Sequence, residues 1–435
     1  MRKLQITGEN LIDILLNLSK QHRVCFLDSC GIKHLGSHLL ICGINPISTI
    51  EISDLNPNNI LDILDQTISN KNLASIFTIS YDFGLKLENI QTHFNNLTEP
   101  DLFIASFETL IIHDYDTLET RLEGNEKNFD EIERFLNESI IFEDNSNETS
   151  EVYSNFERGT YIEKVHQIQE LIRNGDTYQV NLTQQLSAVL PRTLTPEIIY
   201  KNLQKNNPTP FSAFLRREND VVISTSPERF FEVKSGRISV SPIKGTRPRG
   251  INNLQDETLR NELLTSEKDH AENVMIVDLM RNDLGKICEF TSINVDKLCN
   301  LEVHPSLFHL VSTISGNLRE NIKFSEIIRA LFPCGSITGC PKIRTMQIID
   351  ELETIPRGLS MGAIGYTNFN GDIDLSVAIR TMVVRDNNAI FNVGGGIVID
   401  SVAEVEYEES LTKAKALLFA IKSDFAKNNS HNLAY

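Results

Sequence analysis

The stretch Val240 to Gly250, VSPIKGTRPRG, sets a lysine between a segment that reads as half-buried strand and a Gly-Thr turn. An ammonium is costly to bury without a partner, so Lys244 is either an exposed residue of a surface hairpin or an amine placed for chemistry. A carboxylate stands upstream at Glu228, within VVISTSPERFFEVKSGRISVSPIKG, which reads as strand, kink and hairpin around Ser235-Gly236. With a three-residue turn, Ser235 to Arg237, Glu228 faces Lys244 with side-chain roots roughly 5 Å apart. With a two-residue turn the pair falls on opposite faces. Pro242 has no N–H to give, so the strand is an edge or ends near it.

Two further clusters carry carboxylates. In EKDHAENVMIVDLMRNDLG, Glu272 lies on the helical stripe of Met275, Ile276, Leu279 and Met280, with Asp269 one turn earlier. In AEVEYEESLTKAKALLFAI, Glu406, Glu409 and Lys413 share a face beside the apolar stripe. Each cluster alone reads as a solvated helix start; together they offer an oxygen-ligand site suited to Mg²⁺. Arg380 in LSVAIRTMV shares a strand face with Ser376 and Ala378, small neighbours that leave room for an anion. Gly394, Gly395 and Gly396 interrupt a strand, where glycine commonly marks close backbone approach to a ligand. The bland alternative for both is a β-bulge beside a surface arginine. GSITGCPK lacks the GK[ST] ending of a nucleotide-binding phosphate loop.

The elements that must position these residues are mixed. TYIEKVHQIQELIRNG reads as a helix stopped by Gly175, TYQVNLTQQLSAV as a strand, and a single long helix is expected from about Asp256 to Leu284. LSVAIRTMVV and AIFNVGGGIVI read as strands before a closing helix over about 405–425. Strands and helices without strict βαβ alternation imply an α+β fold. Residues 1–118 mix both element types without an evident catalytic pattern; 119–155, acidic and Asn-rich, reads as a polar connector; and 156–425 holds the chemistry.

The 435 residues are 40% hydrophobic and 23% charged, as in a soluble protein with a large core. A net charge of −18 argues against nucleic-acid and membrane-surface partners, so an anionic substrate needs a local basic pocket. Seven cysteines without paired metal-ligand spacing fit a reducing compartment, and the first residues do not read as a leader, so a cytoplasmic protein is expected.

Taken in order, GDTYQVNLTQ, STSPERF, SPIKGTRPRG, KDHAENVMIVDLMRNDLG, FHLVSTISG, GSITGCPKI, GAIGY, DLSVAIRT, GGGIVIDS and EVEYEES resemble the chorismate-utilising enzymes, the family of anthranilate, aminodeoxychorismate and isochorismate synthases. They cover about residues 157–420, and FLDS extends the likeness more faintly into 1–118. The resemblance implies the family's large α+β sandwich, woven from both halves of the chain, with chorismate as substrate. It implies Glu272 and Glu409 as Mg²⁺ ligands with Asp269 and Glu406 beside them. Gly245, Thr246, His309, Tyr366, Arg380 and Gly394 to Gly396 match substrate contacts. Ser29 becomes a candidate for lining a pocket like the tryptophan pocket of anthranilate synthase.

Two positions separate the branches. The isochorismate branch carries a lysine base where this chain has Gln179, and anthranilate synthases read PIAGT where this chain reads PIKGT. Both choices resemble the aminodeoxychorismate branch, whose lysine is a nucleophile. That assigns Lys244 as nucleophile, Glu228 as general acid and Arg247 or Arg249 as cations that keep the amine neutral, with ammonia from a separate glutamine amidotransferase subunit. An anthranilate synthase tolerating lysine, or a non-catalytic chorismate-binding subunit, are the alternatives.

Overall fold

The computed structural model of the chain describes residues 1–33, 38–53, 56–94, 99–138, 148–303 and 307–425. Among them the strands form two antiparallel sheets, one of twelve strands and one of ten. Each sheet is woven from both ends of the sequence. In the first, Val24–Asp28 pairs with Phe211–Arg216; in the second, Ala74–Ile79 pairs with Ala363–Thr367.

The apolar residues explain the layering. Cys25, Ala213 and Leu215 of the first sheet meet Ile76, Phe103 and Ile364 of the second in one buried cluster, so the inner faces form a sandwich. The outer face of the first sheet is covered by helices such as Gly8–Leu18 and Ala403–Ala420. Glu267–Gly285 and Phe324–Leu331 help cover the outer face of the second. The result is helix, sheet, sheet, helix, the α+β architecture expected from the sequence.

Several local expectations change. The hairpin at Ser235-Gly236 has a two-residue turn, because Lys234 pairs with Arg237 and both turn residues have positive φ. The returning strand stops at Val240, and after Pro242 the chain resumes as Ile243–Pro248, which pairs with Leu307–Asn317 and not with the strand that follows Glu228. Glu228 and Lys244 are therefore not a cross-strand pair.

The expected long helix is two, Asn253–Thr265 and Glu267–Gly285. Ser266 breaks it by taking an extended backbone and capping the second helix through the Asp269 N–H. LSVAIRTMVV is also two elements: Ile373–Val377 belongs to the ten-stranded sheet and Thr381–Arg385 to the twelve-stranded one. The chain changes sheet between them, with Arg380 at φ 49°. Both halves are buried on both faces, so alternation could not reveal the crossing.

The segment 119–155 is built into the fold and is not a loose connector. Glu119–Gly124 pairs with strands on either side, Phe129–Glu138 is a helix, and Glu151–Ser154 pairs with Gln179–Val189; 139–147 lie outside the described residues.

Candidate active site

Two sheet-changing corners lie side by side. The chain crosses between Val221–Ser226 and Arg229–Lys234, leaving Glu228 in the bend, and crosses again at Arg380. The bends are tied by Val377 N–H to Glu228 O at 3.1 Å and Thr225 N–H to Arg380 O at 3.1 Å. A carboxyl and a guanidinium are thus set by backbone geometry at one corner of the sandwich.

Glu228 is buried, and its Oε1 has no hydrogen-bond partner among the described residues. Burial pushes its carboxyl above the ordinary range, opposed by Ser336 and Lys244. Lys244 is half-buried on the edge strand Ile243–Pro248. Its Nζ donates to the Ser336 carbonyl at 3.3 Å. Burial pushes the amine below its usual value against the attraction of Glu272 and Glu228, and Lys413 adds to the lowering. Arg247 pairs with Glu262 and Asp269, and Arg249 with Asp256, so the expected arginine cations are already matched by carboxylates. Desolvation and Lys413 do what was expected of them.

Ser336 was missed from the sequence. It sits in the short turn Gly335–Ile337, receives Lys244 on its carbonyl, and opposes the rise that burial gives the Glu228 carboxyl. The signal was the Gly-rich GSITGC run itself, set aside because it failed as a nucleotide loop.

Gly245 has φ 85°, and a Cβ there would lie 2.9 Å from Leu263 Cδ1 and 3.0 Å from Asp269 Cβ. Only glycine fits that turn beside the helix. Thr246 pairs with His309 in the sheet, their side chains 2.8 Å apart at Oγ1 and Nδ1. Burial holds the Arg380 guanidinium below its ordinary value, and no side-chain partner is seen for it among the described residues. A half-buried guanidinium with no side-chain partner among the described residues is suited to receive an anion.

The glycine run packs beside Gln179–Val189 and the Ala403–Ala420 helix. A Cβ on Gly396 would meet the Gln179 amide at 2.7 Å. Gln179 is fully buried, and neither amide atom has a partner among the described residues. Such a group costs stability unless a ligand completes it. A Cβ on Gly395 would point at Lys413 Nζ, 3.2 Å away, Glu406 Oε2, 3.5 Å, and Glu409 Oε1, 3.7 Å. Lys413, also unassigned from sequence, bridges Glu409 at 2.8 Å and the Gly394 carbonyl at 3.0 Å.

The carboxylates of the two helices feel one another's charge. Burial raises the Glu272 carboxyl, and the negative charges of Asp269 and Glu409 push it further. Burial raises Glu406, which accepts from Ser401 Oγ at 2.6 Å, while Lys413 pulls Glu409 down. Asp269 pairs with Arg247 at 3.1 Å. Among the described residues no three His, Cys, Asp or Glu side chains close a metal shell.

Tyr366, expected with the substrate contacts, groups with a different cavity. It pairs opposite Asp374 in its sheet and lines a cavity with Asp28, Ser29, Ser212 and Asp374. Burial pushes its phenol well up, helped by Asp374. Ser29 lines that same cavity, its hydroxyl buried without a partner among the described residues.

The chorismate binding enzyme family matches residues 24–419 of this chain. Aminodeoxychorismate synthase component 1 of Escherichia coli is 40% identical over 342 residues, covering 78% of this chain and 74% of that protein. Anthranilate synthase component 1 of Lactococcus lactis is 34% identical over 456 residues, covering 96% of this chain and 99% of that protein. The crystal structure of anthranilate synthase component I from Streptococcus pneumoniae superposes with a TM-score of 0.79 at 30% identity, covering 89% and 93% of the two chains. A family match across nearly the whole chain, on a fold that builds one basic, carboxylate-rimmed corner, leaves one conclusion: this chain belongs to the chorismate-binding enzyme family.

Proposed function

We propose that this chain acts as an aminodeoxychorismate synthase component I, converting chorismate and ammonia to 4-amino-4-deoxychorismate, a precursor of p-aminobenzoate and folate. The observation that carries this reading is the buried Glu228 carboxyl, one oxygen without a partner among the described residues, near the Lys244 amine, with burial pushing each group toward its neutral form. Relatives of that name support it at 40% and 37% identity.

Arg380 receives a chorismate carboxylate, and the orphaned Gln179 amide and the glycine run form the pocket wall. Neutral Lys244 adds to ring C2; the two conjugated ring double bonds each shift one position toward C4, and the C4 hydroxyl leaves as water with the proton held by Glu228. Ammonia then adds at C4, both double bonds shift back, and Lys244 leaves C2. The nucleophile needs a deprotonated amine and the leaving group needs a proton, which is the direction in which burial drives each group.

Glu272 and Glu409 are the proposed Mg²⁺ ligands, with Asp269 and Glu406 beside them. Their hard oxygen donors fit that ion, and two protein carboxylates with the remaining positions left to substrate and water is a usual Mg²⁺ arrangement. When bound, the ion neutralises the charge of a dianionic substrate among carboxylates. Ammonia is proposed to come from a glutamine amidotransferase subunit, since the class I glutaminase pattern of nucleophilic cysteine and downstream histidine was not found in the sequence.

The anthranilate synthase reading has its own support, the match to the Lactococcus lactis protein over 96% of this chain. Product identification from chorismate, Mg²⁺ and ammonium decides between them: 4-amino-4-deoxychorismate or anthranilate.

A further inference from the structure

The strand Gln179–Val189 has a gap along one edge. Gln179 and Val180 pair with Gly339–Cys340, and Leu186 to Val189 pair with Glu151–Ser154. Between these partners the Asn181 N–H reaches Thr338 O at 2.8 Å. Among the described residues, the Thr183 N–H and the Asn181 carbonyl have no strand opposite on that side. A buried ion pair fills the gap. Glu353 Oε1 accepts from Thr183 N–H at 2.8 Å and from Thr183 Oγ1 at 2.9 Å, and Arg357 Nη2 donates to Asn181 O at 2.6 Å. The two side chains are joined by Nη2 to Oε1 at 2.7 Å and Nε to Oε2 at 2.9 Å.

The remaining arm of the guanidinium reaches the reacting groups indirectly. Arg357 Nη1 donates to the Ile337 carbonyl at 3.1 Å. Ile337 follows Ser336, which accepts from Lys244 on its carbonyl and lies beside the Glu228 carboxyl, whose ionisation it favours. On the other side, Asn181 lies two residues from the orphaned Gln179 and pairs with Gly396, while Thr183 pairs with Gly394. One guanidinium therefore ties the turn that orients the lysine and acid to the strand that forms the pocket wall. The Tyr81 ring, 4.5 Å from Arg357 Cζ, closes the remaining face. Both members of the pair are buried, and neither is among the groups placed against substrate.

We propose that Arg357, held by Glu353, is a positioning residue for the reaction: it registers the Ser336 turn against the Gln179 strand and so sets the geometry of Lys244 and Glu228. The inference rests on the reaction proposed above. A lysine at 357 keeps the charge but loses the planar fork, so it cannot serve Ile337, Asn181 and both Glu353 oxygens together.

The test compares R357K and E353Q with the wild type, using ammonium as nitrogen donor. Folded protein is quantified by melting curve and near-ultraviolet dichroism. Product identity, kcat, KM for chorismate and the pH profile of kcat are then measured per folded enzyme. The expected result for R357K is a kcat at least tenfold lower, KM within threefold, and displaced limbs of the pH profile, with E353Q shifted in the same sense. Folded R357K with unchanged kcat and unmoved limbs overturns the proposal. So does a loss in both variants that tracks only the loss of folded protein. Wild-type product is read in the same assay, so anthranilate from the wild type would refute the reaction assignment without being confused with a failure of the Arg357 role.

Discussion

Lys244 is an amine that a half-buried edge strand cannot keep comfortably charged, and Glu228 is a carboxyl that its surroundings keep from ionising easily. Both shifts begin with desolvation and both run toward the protonation state the proposed step needs. Their pH consequence has a definite sign. The active form needs neutral Lys244, so the rate rises with pH through the depressed amine pKa. It also needs protonated Glu228, so the rate falls with pH through the raised carboxyl pKa. The two groups titrate as a coupled pair. A plot of kcat against pH is therefore bell-shaped, and Glu228→Gln leaves a single limb while lowering kcat by about 10² to 10⁴-fold, the usual range for a lost general acid. A bell that survives intact in Glu228→Gln would remove Glu228 from the acid role. Lys244→Ala abolishes the covalent intermediate, and Lys244→Arg does not restore it, because a guanidinium stays protonated. Mass spectrometry of wild-type enzyme quenched with chorismate but no ammonia is expected to show an adduct on Lys244; full activity of Lys244→Arg would contradict the nucleophile.

At the scale of elements, the site is a product of corners and caps, and this decides what the sequence could reveal. The residues of the proposed site were singled out in the sequence by their chemistry: Lys244, Glu228, the two carboxylate helices and the glycine run. Their geometry was less legible. The hairpin register of Glu228 and Lys244 was open between a three-residue and a two-residue turn; the turn has two residues, and the two groups come near one another because Pro242 ends one strand and the chain re-enters the sheet against Leu307–Asn317. The sheet change at Arg380 was hidden because both strands are buried on both faces, which erases the period that would mark a boundary. Ser336 and Lys413 lie within patterns the sequence shows, the GSITGC run and the Glu406–Glu409 face, but they act through a backbone carbonyl and a bridging contact, which a residue pattern does not specify.

The glycines give a test of this geometry. A Cβ at Gly394 would sit 1.9 Å from the Leu182 carbonyl, so Gly394→Ala must displace backbone and is expected to cost about 1–3 kcal/mol or more. A Cβ at Gly395 meets the flexible end of Lys413 at 3.2 Å. Gly395→Ala should therefore fold normally but raise KM for chorismate several-fold. Melting temperatures and KM values measured on both variants check the contrast, and equal destabilisation of the two would contradict it.

The whole molecule is an acidic sandwich whose two sheets each draw strands from both ends of the chain. No helix among the described residues is long and apolar enough to cross a membrane. The interleaving is why residues 1–118, without a catalytic pattern of their own, still matter: Asp82 accepts the Gly358 N–H at 2.9 Å, next to Arg357. An acidic protein that binds a dianion among carboxylates needs compensating charge, so removing Mg²⁺ with EDTA is expected to abolish turnover and re-addition to restore it. Glu272→Gln or Glu409→Gln should each remove most activity while circular dichroism stays unchanged; near-normal turnover in excess EDTA would exclude the metal role. Glutamine supplied to the purified chain alone should give no product where ammonium does, and efficient glutamine-dependent synthesis would contradict a separate ammonia-supplying subunit.

The most direct measurement is the identity of the product that the purified chain forms from chorismate, Mg²⁺ and ammonium, resolved by chromatography and mass spectrometry. With Lys244 occupying C2 when ammonia arrives, nitrogen is delivered to C4, and the account predicts 4-amino-4-deoxychorismate as the main product. Anthranilate as the main product would mean that ammonia itself attacks C2, and would contradict the account.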